Sequence, residues 1–293
     1  MFPDASVPSP VDYDSPTRLS ALLDELGCAM RKKYGQNFLV SPQARTRIMD
    51  LADIHPGART WEIGPGIGAM TREALLRGAA LSTFEIDRGF AAFIQETYGA
   101  APGFELYEGD FLRTWRSAVA ASGRPERVFG NLPYNVAGAM VAALIEGGAG
   151  PSRMTFTVQR EAARRMTADP GCKDYSAFTV LCRSAYAVKR AFDLPPGAFW
   201  PPPRVVSSVV VMETRKDPIP CAGQPSFTSL TRAAFASRRK TLRNNLAAAG
   251  WTDEQVAAAA EAAGTRSDAR AETLSPEAFA AMHAVLSVLP RRA

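Results

Sequence analysis

The architecture of the chain is set by the stretch Thr60-Trp61-Glu62-Ile63-Gly64-Pro65-Gly66-Ile67-Gly68, a short apolar strand that runs into a glycine-rich turn. Glycines let the backbone turn sharply and approach a ligand closely. Their G-x-G-x-G spacing differs from the G-x-G-x-x-G fingerprint of dinucleotide-binding proteins. Pro65 has no N–H for a pyrophosphate, and no lysine or arginine lies in the turn. The stretch indicates either a purely structural turn or the binding site of a ligand without phosphates.

On both sides of this turn, short apolar runs alternate with helical stretches. We predict strands at residues 60–63, 81–86, 104–107, 127–129, 154–158 and 206–214, and helices at 17–30, 42–52, 69–77, 88–98 and 136–146. Repeated strand–helix–strand units are typical of a parallel sheet with helices between its strands. The predicted fold class is therefore α/β, with a doubly wound, mostly parallel, Rossmann-like sheet.

The sequence pattern divides the chain into three parts. Residues 1–30 form a proline-rich arm, predicted to be mobile through residue 16, followed by a short helix. Residues 31–215 form the α/β domain. Residues 216–293 begin with a linker-like stretch and continue as alanine-rich sequence with helical periodicity, so they predict a smaller all-helical domain.

Composition narrows the class of function. The 293 residues are 46% hydrophobic and 22% charged, which suffices for a packed core and argues against disorder. The chain has no run of 18 apolar residues and no secretory leader, so no membrane span is predicted and the expected location is the cytoplasm. Two histidines, and four cysteines without a C-x-x-C pair, argue against a histidine triad and a metal site. A net charge of +5 permits an anionic partner without proving one.

Three polar side chains stand where successive strands of the predicted sheet end. Glu85 comes 21 residues after Gly64, where a carboxylate accepts both hydroxyls of a ribose. Asp110 ends the next strand, where an acceptor takes the amino group of an adenine, and Asn131 follows the strand after that. Open α/β sheets bind ligands at this edge. The spacing predicts an adenosine ligand without phosphates, and S-adenosylmethionine is such a ligand.

The tetrapeptide Asn131-Leu132-Pro133-Tyr134 indicates the reaction. The exocyclic amine of adenine is a poor nucleophile, because its lone pair is delocalised into the ring. An asparagine oxygen and a main-chain carbonyl accept both N–H bonds, which draws the nitrogen towards a pyramidal geometry and aims its lone pair at a methyl donor. Tyr134 offers a face on which the base stacks. An Asn-Pro type of turn without a catalytic role is the alternative.

Four motifs occur in order along the chain: Gln36-Asn37-Phe38-Leu39, residues 62–68, residues 131–135 and residues 199–207. Together they resemble the ribosomal RNA adenine N6,N6-dimethyltransferases, over about residues 31–290. Residues 237–244 resemble the small-subunit branch of that family. The resemblance implies a class I S-adenosylmethionine-dependent methyltransferase fold with a helical C-terminal domain. It also implies transfer of four methyl groups to two adjacent adenosines in a hairpin near the 3′ end of small-subunit (16S) rRNA.

The resemblance implies roles for individual residues as well. Cofactor positions fall on Asn37, Leu39, Gly64, Glu85, Asp110 and Asn131, and the catalytic motif falls on Asn131, Leu132, Pro133 and Tyr134. Phe199 matches an aromatic residue that stacks on the other face of the target base, with a plain core residue as the alternative. The implied partners are small-subunit rRNA and the pre-30S subunit, with the enzyme acting as a monomer in ribosome biogenesis.

Basic side chains are concentrated near the start of the C-terminal region. Residues 228–250 contain no acid and five basic residues, Arg232, Arg238, Arg239, Lys240 and Arg243. Five positive charges without compensation favour a phosphate-binding surface, and a solvated helix face is the alternative. We predict that Arg31, Lys32 and Lys33 extend this surface and that Arg204 adds a further charge for RNA.

Three other functions fit parts of the sequence. Dimethylation of large-subunit rRNA uses a similar glycine turn and a near-identical Asn-x-Pro-Tyr, but the run at residues 237–244 disfavours it. A ribosome-assembly or transcription factor that kept the fold and the RNA surface would be expected to have a damaged site, whereas Glu85, Asp110, Asn131 and Tyr134 are intact. A dinucleotide-dependent dehydrogenase is disfavoured by the glycine spacing and by the lack of a suitable histidine.

Overall fold

The computed structural model describes residues 7–27, 37–148 and 150–289. Its strands are β1 (Phe38–Leu39), β2 (Arg59–Ile63), β3 (Ala80–Glu85), β4 (Phe104–Glu108), β5 (Arg127–Asn131), β6 (Arg153–Gln159), β7 (Tyr186–Leu194), β8 (Phe199–Trp200) and β9 (Ser207–Thr214). Its helices are α1 (Pro16–Glu25), α2 (Pro42–Ala52), α3 (Ala69–Leu76), α4 (Arg88–Tyr98), α5 (Phe111–Ser122), α6 (Ala137–Glu146), α7 (Arg160–Thr167), α8 (Ala177–Ala185), α9 (Pro225–Ala234), α10 (Leu242–Ala247), α11 (Asp253–Ala262) and α12 (Pro276–Leu286). Within the described ranges, none of these helices is long and apolar enough to cross a membrane.

The main sheet confirms the predicted fold class. Its strand order is β4-β3-β2-β5-β6-β9-β7, with β4, β3, β2, β5 and β6 parallel and β9 antiparallel to β6. The chain winds from β2 to β4 in one direction and then returns to place β5 and β6 on the other side of β2. β2 and β5 are therefore neighbours at the point where the winding reverses, which is where open α/β sheets bind ligands.

The central strands form because their apolar side chains are buried on both faces of the sheet. Trp61 on β2, Phe84 on β3, Phe129 on β5 and Phe156 on β6 are each at most 2% exposed. A helix follows each of β3 and β4, and each begins at a carboxylate cap. Asp87 accepts from the backbone N–H groups of residues 89 and 90, and Asp110 accepts from that of residue 112. The caps hold these carboxylates at the carboxyl edge of the sheet.

The structure places the parallel strands within two residues of the predicted limits, but β7 was not predicted. β7 is an edge strand in which Lys189 and Arg190 are exposed. Because an edge strand buries fewer of its side chains, its sequence carries charges that hide the strand pattern. The helix predicted at 17–30 ends at Glu25, and residues 28–30 lie outside the described residues.

The chain falls into two compact units. Among the described residues, the first consists of residues 7–27, 37–140, 150–163 and 189–213, and the second of residues 141–148, 164–188 and 214–289. The second unit has its own apolar core, in which Phe227, Leu246 and Phe279 are fully buried. It also takes in α8 and the end of α7, which precede the predicted helical region. The domain limits 1–30, 31–215 and 216–293 stay predictions.

Residues 7–16, for which the sequence predicts a mobile arm, contribute two buried side chains to the first unit, while most of the other residues in the stretch are exposed; the mobility of the arm stays a prediction. Val7 and Tyr13 are buried in the core of the first unit, together with Leu19 and Leu23 of α1. Proline restricts the backbone but does not prevent the apolar side chains between prolines from packing. Apolar residues separated by prolines therefore gave no periodic signal in the sequence.

Candidate active site

A cavity of about 310 Å³ opens at the carboxyl ends of the parallel strands, where the winding of the sheet reverses. All six residues predicted to bind a cofactor line it: Asn37, Leu39, Gly64, Glu85, Asp110 and Asn131. Apolar side chains form much of the remaining wall, among them Phe38, Ile63, Phe84, Ile86 and Phe90. The cavity therefore combines an apolar body with a few polar groups, which is typical of small-molecule sites.

The glycine-rich turn is held against both the sheet and strand β1. The backbone N–H of Gly66 donates to Glu85 Oε2 at 3.0 Å. Gly66 has a φ of +57°, and a Cβ built there would lie 3.1 Å from the ring of Phe38. A side chain at this position would be strained and crowded, so the close approach of the turn to Phe38 requires glycine.

Glu85 ends β3 as a buried carboxyl group at the cavity wall. Its Oε1 accepts from the N–H of Asp87 at 2.9 Å and its Oε2 accepts from Gly66, while the residue is only 5% exposed. Burial raises the pKa of Glu85 to about 7, although the two backbone donors oppose the shift. A carboxylate has about four lone-pair sites, so Glu85 retains capacity for hydroxyl donors of a ligand.

Glu62 lies on β2, immediately before the turn, and is fully buried. The hydroxyl of Thr71 donates to its Oε2 at 2.6 Å, and its Oε1 has no hydrogen-bond partner among the described residues. Burial, together with the nearby charge of Glu85, raises the pKa of Glu62 to about 8. Neither carboxyl group supplies the positive charge that a phosphate needs, which supports a phosphate-free ligand.

Asp110 combines a structural contact with a free acceptor. Its Oδ1 accepts from the N–H of Leu112 at 3.0 Å, which caps α5. Within the described ranges, no hydrogen bond reaches its second carboxylate oxygen. Asp110 therefore presents an acceptor at the cavity wall while its cap fixes the side chain.

Asn131 is the last residue of β5, and its side-chain orientation follows from one contact. Its Nδ2 donates to the backbone oxygen of Asn37 at 2.7 Å. A carbonyl oxygen only accepts, so the amide nitrogen must face Asn37. Oδ1 remains as an acceptor that has no partner among the described residues, on a side chain that lines the cavity.

The residues after Asn131 anchor the loop. The N–H of Leu132 donates to the backbone oxygen of Thr157 on β6 at 3.1 Å, and the Leu132 side chain is 1% exposed. Pro133 lines the cavity. The hydroxyl of Tyr134 lies 2.5 Å from Oγ of Ser207, at the start of β9, and the half-buried ring does not itself line the cavity. The loop is therefore fixed by the neighbouring strands.

Phe199 is a core residue in this structure. It lies on β8, opposite Leu39 of β1, and is 3% exposed. It does not line the cavity, so stacking on a base requires its side chain to leave the core. This position matches the core alternative, and the stacking role of Phe199 stays a prediction.

A family model described as ribosomal RNA adenine dimethylase matches residues 27–287. The chain belongs to this family. The resemblance found in the sequence motifs is therefore confirmed. The dimethyltransferase uses S-adenosylmethionine to methylate adenine in ribosomal RNA, and neither the dehydrogenase nor a factor without activity describes it.

Two individual relatives are consistent with membership of this family. The ribosomal RNA small subunit methyltransferase A of Treponema denticola is 40% identical over 272 residues, which are 91% of this chain and 93% of the relative. The protein of the same name from Treponema pallidum strain Nichols is 40% identical over 286 residues, 95% of this chain and 98% of the relative.

Two solved structures are similar in fold. The crystal structure of the 23S rRNA methyltransferase ErmE has a TM-score of 0.62 and 24% identity, and the match covers 86% of this chain and all of that one. A dimethyladenosine transferase from Plasmodium falciparum has a TM-score of 0.67 and 20% identity, with coverage of 83% and 94%. At these identities the two structures bear on the fold of the dimethyltransferase alone.

Three of the five basic residues at positions 228–250 of the dimethyltransferase form ion pairs with carboxylates, which the sequence did not predict. Ion pairs join Arg232 to Glu146 at 2.8 Å, Arg238 to Glu272 at 2.7 Å and Arg243 to Asp253 at 2.5 Å. The prediction of five uncompensated charges is therefore wrong. The acidic partners come from outside residues 228–250, so the local sequence did not show them.

The other predicted RNA contacts divide into two groups. Arg204, Arg239 and Lys240 are exposed, and in the described part of the chain no ion pair involves them. Arg31, Lys32 and Lys33 lie outside the described residues. The roles of all these residues in RNA binding stay predictions.

Ile86 and Glu62 are two notable residues in or beside the site for which the sequence predicts no role. Ile86 lines the cavity directly after Glu85 and is an unusually exposed apolar side chain at 42%. The sequence feature that could have indicated Ile86 is an apolar residue at the end of a strand, directly after the residue predicted to bind the ribose. Glu62 enters the sequence prediction only as part of the glycine motif. The feature that could have indicated it is an ionisable residue inside an apolar strand.

Proposed function

We propose that the dimethyltransferase transfers methyl groups to N6 of two adjacent adenosines in a hairpin near the 3′ end of small-subunit (16S) rRNA. It acts on the pre-30S subunit in ribosome biogenesis, as a monomer in the cytoplasm. The relatives named small subunit methyltransferase A, each 40% identical over more than nine-tenths of this chain, support the substrate. The orientation of Asn131 at the cavity carries the proposed chemistry.

The side chains and backbone groups that line the cavity fit S-adenosylmethionine. Gly66 packs against the ring of Phe38 with little space for a side chain, and among the described residues no basic side chain lines the cavity for a phosphate. The polar groups are instead acceptors suited to hydroxyl and amine donors. Glu85 would hold the ribose hydroxyls, and the second oxygen of Asp110 would accept from the adenine amino group.

Apolar and backbone groups complete this assignment. Asn37, Leu39 and Gly64 line the same cavity, and Ile86 offers an apolar surface to the purine ring. Burial of the site lowers the local dielectric and so strengthens the hydrogen bonds made there. When bound, the cofactor supplies an electrophilic methyl group on a sulfonium.

Asn131 then acts by positioning and polarisation. Its Oδ1, with a backbone carbonyl of the loop, accepts the two N–H bonds of the target amine. The lone pair is withdrawn from the ring and directed at the methyl group. The N–C bond would form as the C–S bond of the sulfonium breaks, with S-adenosylhomocysteine as the leaving group, and the strongly acidic methylated nitrogen would lose its proton to solvent. The hydrogen bond to Asn37 fixes the side chain in advance, so no reorganisation is needed during the reaction. This mechanism needs no histidine base, in agreement with the two histidines of the chain.

The target base must leave its stack to reach Asn131. Extrusion costs a few kcal/mol, and stacking on an aromatic side chain returns about 1–3 kcal/mol per base. Tyr134 is held by its hydroxyl to Ser207, so its ring is ordered before the base arrives. We assign the stacking role first to Tyr134, because Phe199 is buried.

Phosphate contacts supply the affinity for rRNA. Arg239 and Lys240 offer exposed charges in the second unit, and Arg204 offers one in the first. Since Arg238 and Arg243 already pair with carboxylates, a phosphate must compete with Glu272 and Asp253 for them. The unpaired residues are therefore expected to contribute more to binding.

The substrate is tested by methylating small and large ribosomal subunits that lack the modification. Primer extension on each rRNA maps where the dimethylated bases block the polymerase. We expect a stop at two adjacent adenosines near the 3′ end of 16S rRNA and none in 23S rRNA. A stop confined to 23S rRNA would refute the proposed substrate while leaving the enzyme class intact.

A further inference from the structure

The segment of residues 7–26 lies outside the family match, which begins at residue 27. It is nevertheless built into the first unit. Val7, Tyr13, Leu19 and Leu23 share one apolar core with Phe38 and Leu39 of β1. Two polar contacts from this segment lead towards the walls of the cavity proposed to bind the methyl donor S-adenosylmethionine, which we call the donor cavity.

The first contact runs from Tyr13 through Tyr98 to the glycine-rich turn. The hydroxyls of Tyr13 and Tyr98 are 2.7 Å apart, and the Tyr98 hydroxyl donates to the backbone oxygen of Gly68 at 3.4 Å. A hydroxyl has one hydrogen, so Tyr13 donates to Tyr98 while Tyr98 donates to Gly68. This series of hydrogen bonds ends at Gly68. Its two neighbours in sequence, Ile67 and Ala69, both line the cavity.

The geometry at Gly68 makes this contact sensitive to the position of Tyr98. Gly68 has a φ of +86°, and a Cβ there would lie 2.7 Å from Cε2 of Tyr98 and 2.8 Å from Cδ1 of Ile94. The ring of Tyr98 therefore rests directly on the backbone of the turn. Burial raises the pKa of Tyr13 to about 12 and raises that of Tyr98 as well, so both hydroxyls keep their protons at neutral pH.

The second contact runs from Asp14 through Arg45 to β1. Arg45 is 7% exposed, forms an ion pair with Asp14, and donates from its Nη1 to the backbone oxygen of Leu39 at 3.0 Å. Leu39 lines the cavity. A buried guanidinium needs its charge partner, so Asp14 helps to keep Arg45 in place beneath Leu39.

We propose that residues 7–26 brace the donor cavity, with Tyr13 and Asp14 as positioning residues for Gly68 and Leu39. This inference rests on the proposed donor site. Tyr13 and Asp14 touch neither cofactor nor RNA and act through Tyr98 and Arg45. The apolar packing of the segment supplies its attachment, and the two polar contacts set where the turn and β1 lie. The brace therefore governs donor affinity and leaves the rRNA contacts unaffected.

The test uses the full chain carrying Tyr13→Phe, Asp14→Ala or both changes. Tyr107→Phe is a matched control, because the Tyr107 hydroxyl is also hydrogen-bonded but lies on the edge strand β4. Asp24→Ala is the control for Asp14, as an exposed carboxylate on the same segment. Calorimetry measures the Kd of S-adenosylhomocysteine, and hydrogen exchange of the free protein reports on the amides of Leu39 and Gly68.

Each single variant is expected to raise the Kd of S-adenosylhomocysteine by about threefold to tenfold, the effect of losing one net hydrogen bond. The amides of Leu39 and Gly68 should exchange faster in the corresponding variant. In turnover, KM for S-adenosylmethionine should rise while kcat and KM for the small subunit stay within about twofold. Both controls should match the wild type.

Two results would overturn the brace. One is a double variant that binds S-adenosylhomocysteine as tightly as the wild type. The other is an equal rise of KM for donor and for rRNA, which indicates a general structural defect. A wild type that binds the donor, shows the expected loss in the variants, and yet methylates no small-subunit rRNA would contradict the proposed substrate and support the brace.

Discussion

The side-chain nitrogen of Asn131 lies 2.7 Å from the backbone oxygen of Asn37, a residue 94 positions earlier in the chain. This hydrogen bond decides which end of the amide faces the cavity. It also gives Asn37 a role that its side chain does not reveal, since the contact uses its carbonyl. The strand that follows Asn37 is in turn held by Arg45 at Leu39. The orientation of the Asn131 amide therefore depends on elements far from it in sequence.

Replacing Asn131 by alanine should abolish most methyl transfer and spare donor binding. Removing a donor or acceptor that acts on developing charge typically lowers kcat by about 100-fold to 1,000-fold. The Kd of S-adenosylhomocysteine should change no more than about threefold, because Asn131 contributes one hydrogen bond at most. Radiolabelled transfer and calorimetry measure the two quantities. Gln95→Ala removes an exposed amide on α4 and serves as the control. Normal turnover of Asn131→Ala would refute polarisation by this residue.

Donor affinity should fall as the pH falls through about 7. The buried Glu85 carboxyl has a pKa of about 7 in the free protein, so it becomes neutral below that pH. The charged form accepts hydroxyl hydrogen bonds more strongly. The Kd of S-adenosylhomocysteine should therefore rise between pH 8 and pH 6, by at most about tenfold per pH unit. Calorimetry across this range measures the slope.

The Glu85→Gln variant should bind weakly at every pH and lose this slope. Glu62→Gln should keep it, since Glu62 lies beneath the turn and does not line the cavity. By the same linkage, the folded state holds the Glu85 proton more tightly than the unfolded chain. The free energy of unfolding should therefore decrease as the pH rises from about 4.5 to about 7. A pH-independent Kd in the wild type would contradict the assignment of Glu85.

Two variants of Tyr134 should separate the contributions of its ring and of its hydroxyl to kcat/KM. Tyr134→Ala removes a stacking surface worth about 1–3 kcal/mol per base, so kcat/KM should fall by about fivefold to 150-fold. Tyr134→Phe keeps the ring and loses only the hydrogen bond to Ser207, so its loss should be much smaller. The affinity for rRNA should change little in either variant, since phosphate contacts dominate it. Equal losses in both variants would show that the hydroxyl, and not stacking, matters.

Salt titration should distinguish unpaired arginines from paired ones. Arg239→Gln should weaken rRNA binding and reduce the slope of log K against log salt by about 0.7–0.9, the effect of one lost phosphate contact. Arg266→Gln is a matched control, because Arg266 is exposed but pairs with Asp268 at 2.7 Å. Fluorescence anisotropy at several salt concentrations measures both. Unchanged slopes in Arg239→Gln would remove that residue from the RNA surface.

The sequence was sufficient for the central sheet and for the positions of the cavity residues. Parallel strands buried on both faces read as apolar runs, and the polar residues at their ends stand out against them, as at Glu85, Asp110 and Asn131. The register of the sheet then brings those ends together without further information. The exposed edge strand β7 lacked such a run, because Lys189 and Arg190 interrupt it.

Contacts between distant segments could not be predicted in the same way. The pairing of Arg238 with Glu272, and of Arg243 with Asp253, depends on how the C-terminal helices pack. The burial of Tyr13 depends on a partner, Tyr98, that is 85 residues away. The core position of Phe199 depends on its pairing with Leu39. In each case the local sequence contains one half of the interaction.

The most direct measurement is a crystal structure of the chain soaked with S-adenosylhomocysteine. We expect the ligand in the cavity, with its ribose hydroxyls on the Glu85 carboxylate and its adenine amino group on Asp110. Its sulfur should face the Oδ1 side of Asn131. An empty cavity, a ligand bound elsewhere, or a preference for a pyrophosphate-bearing molecule in this cavity would contradict the donor site and, with it, the role of Asn131.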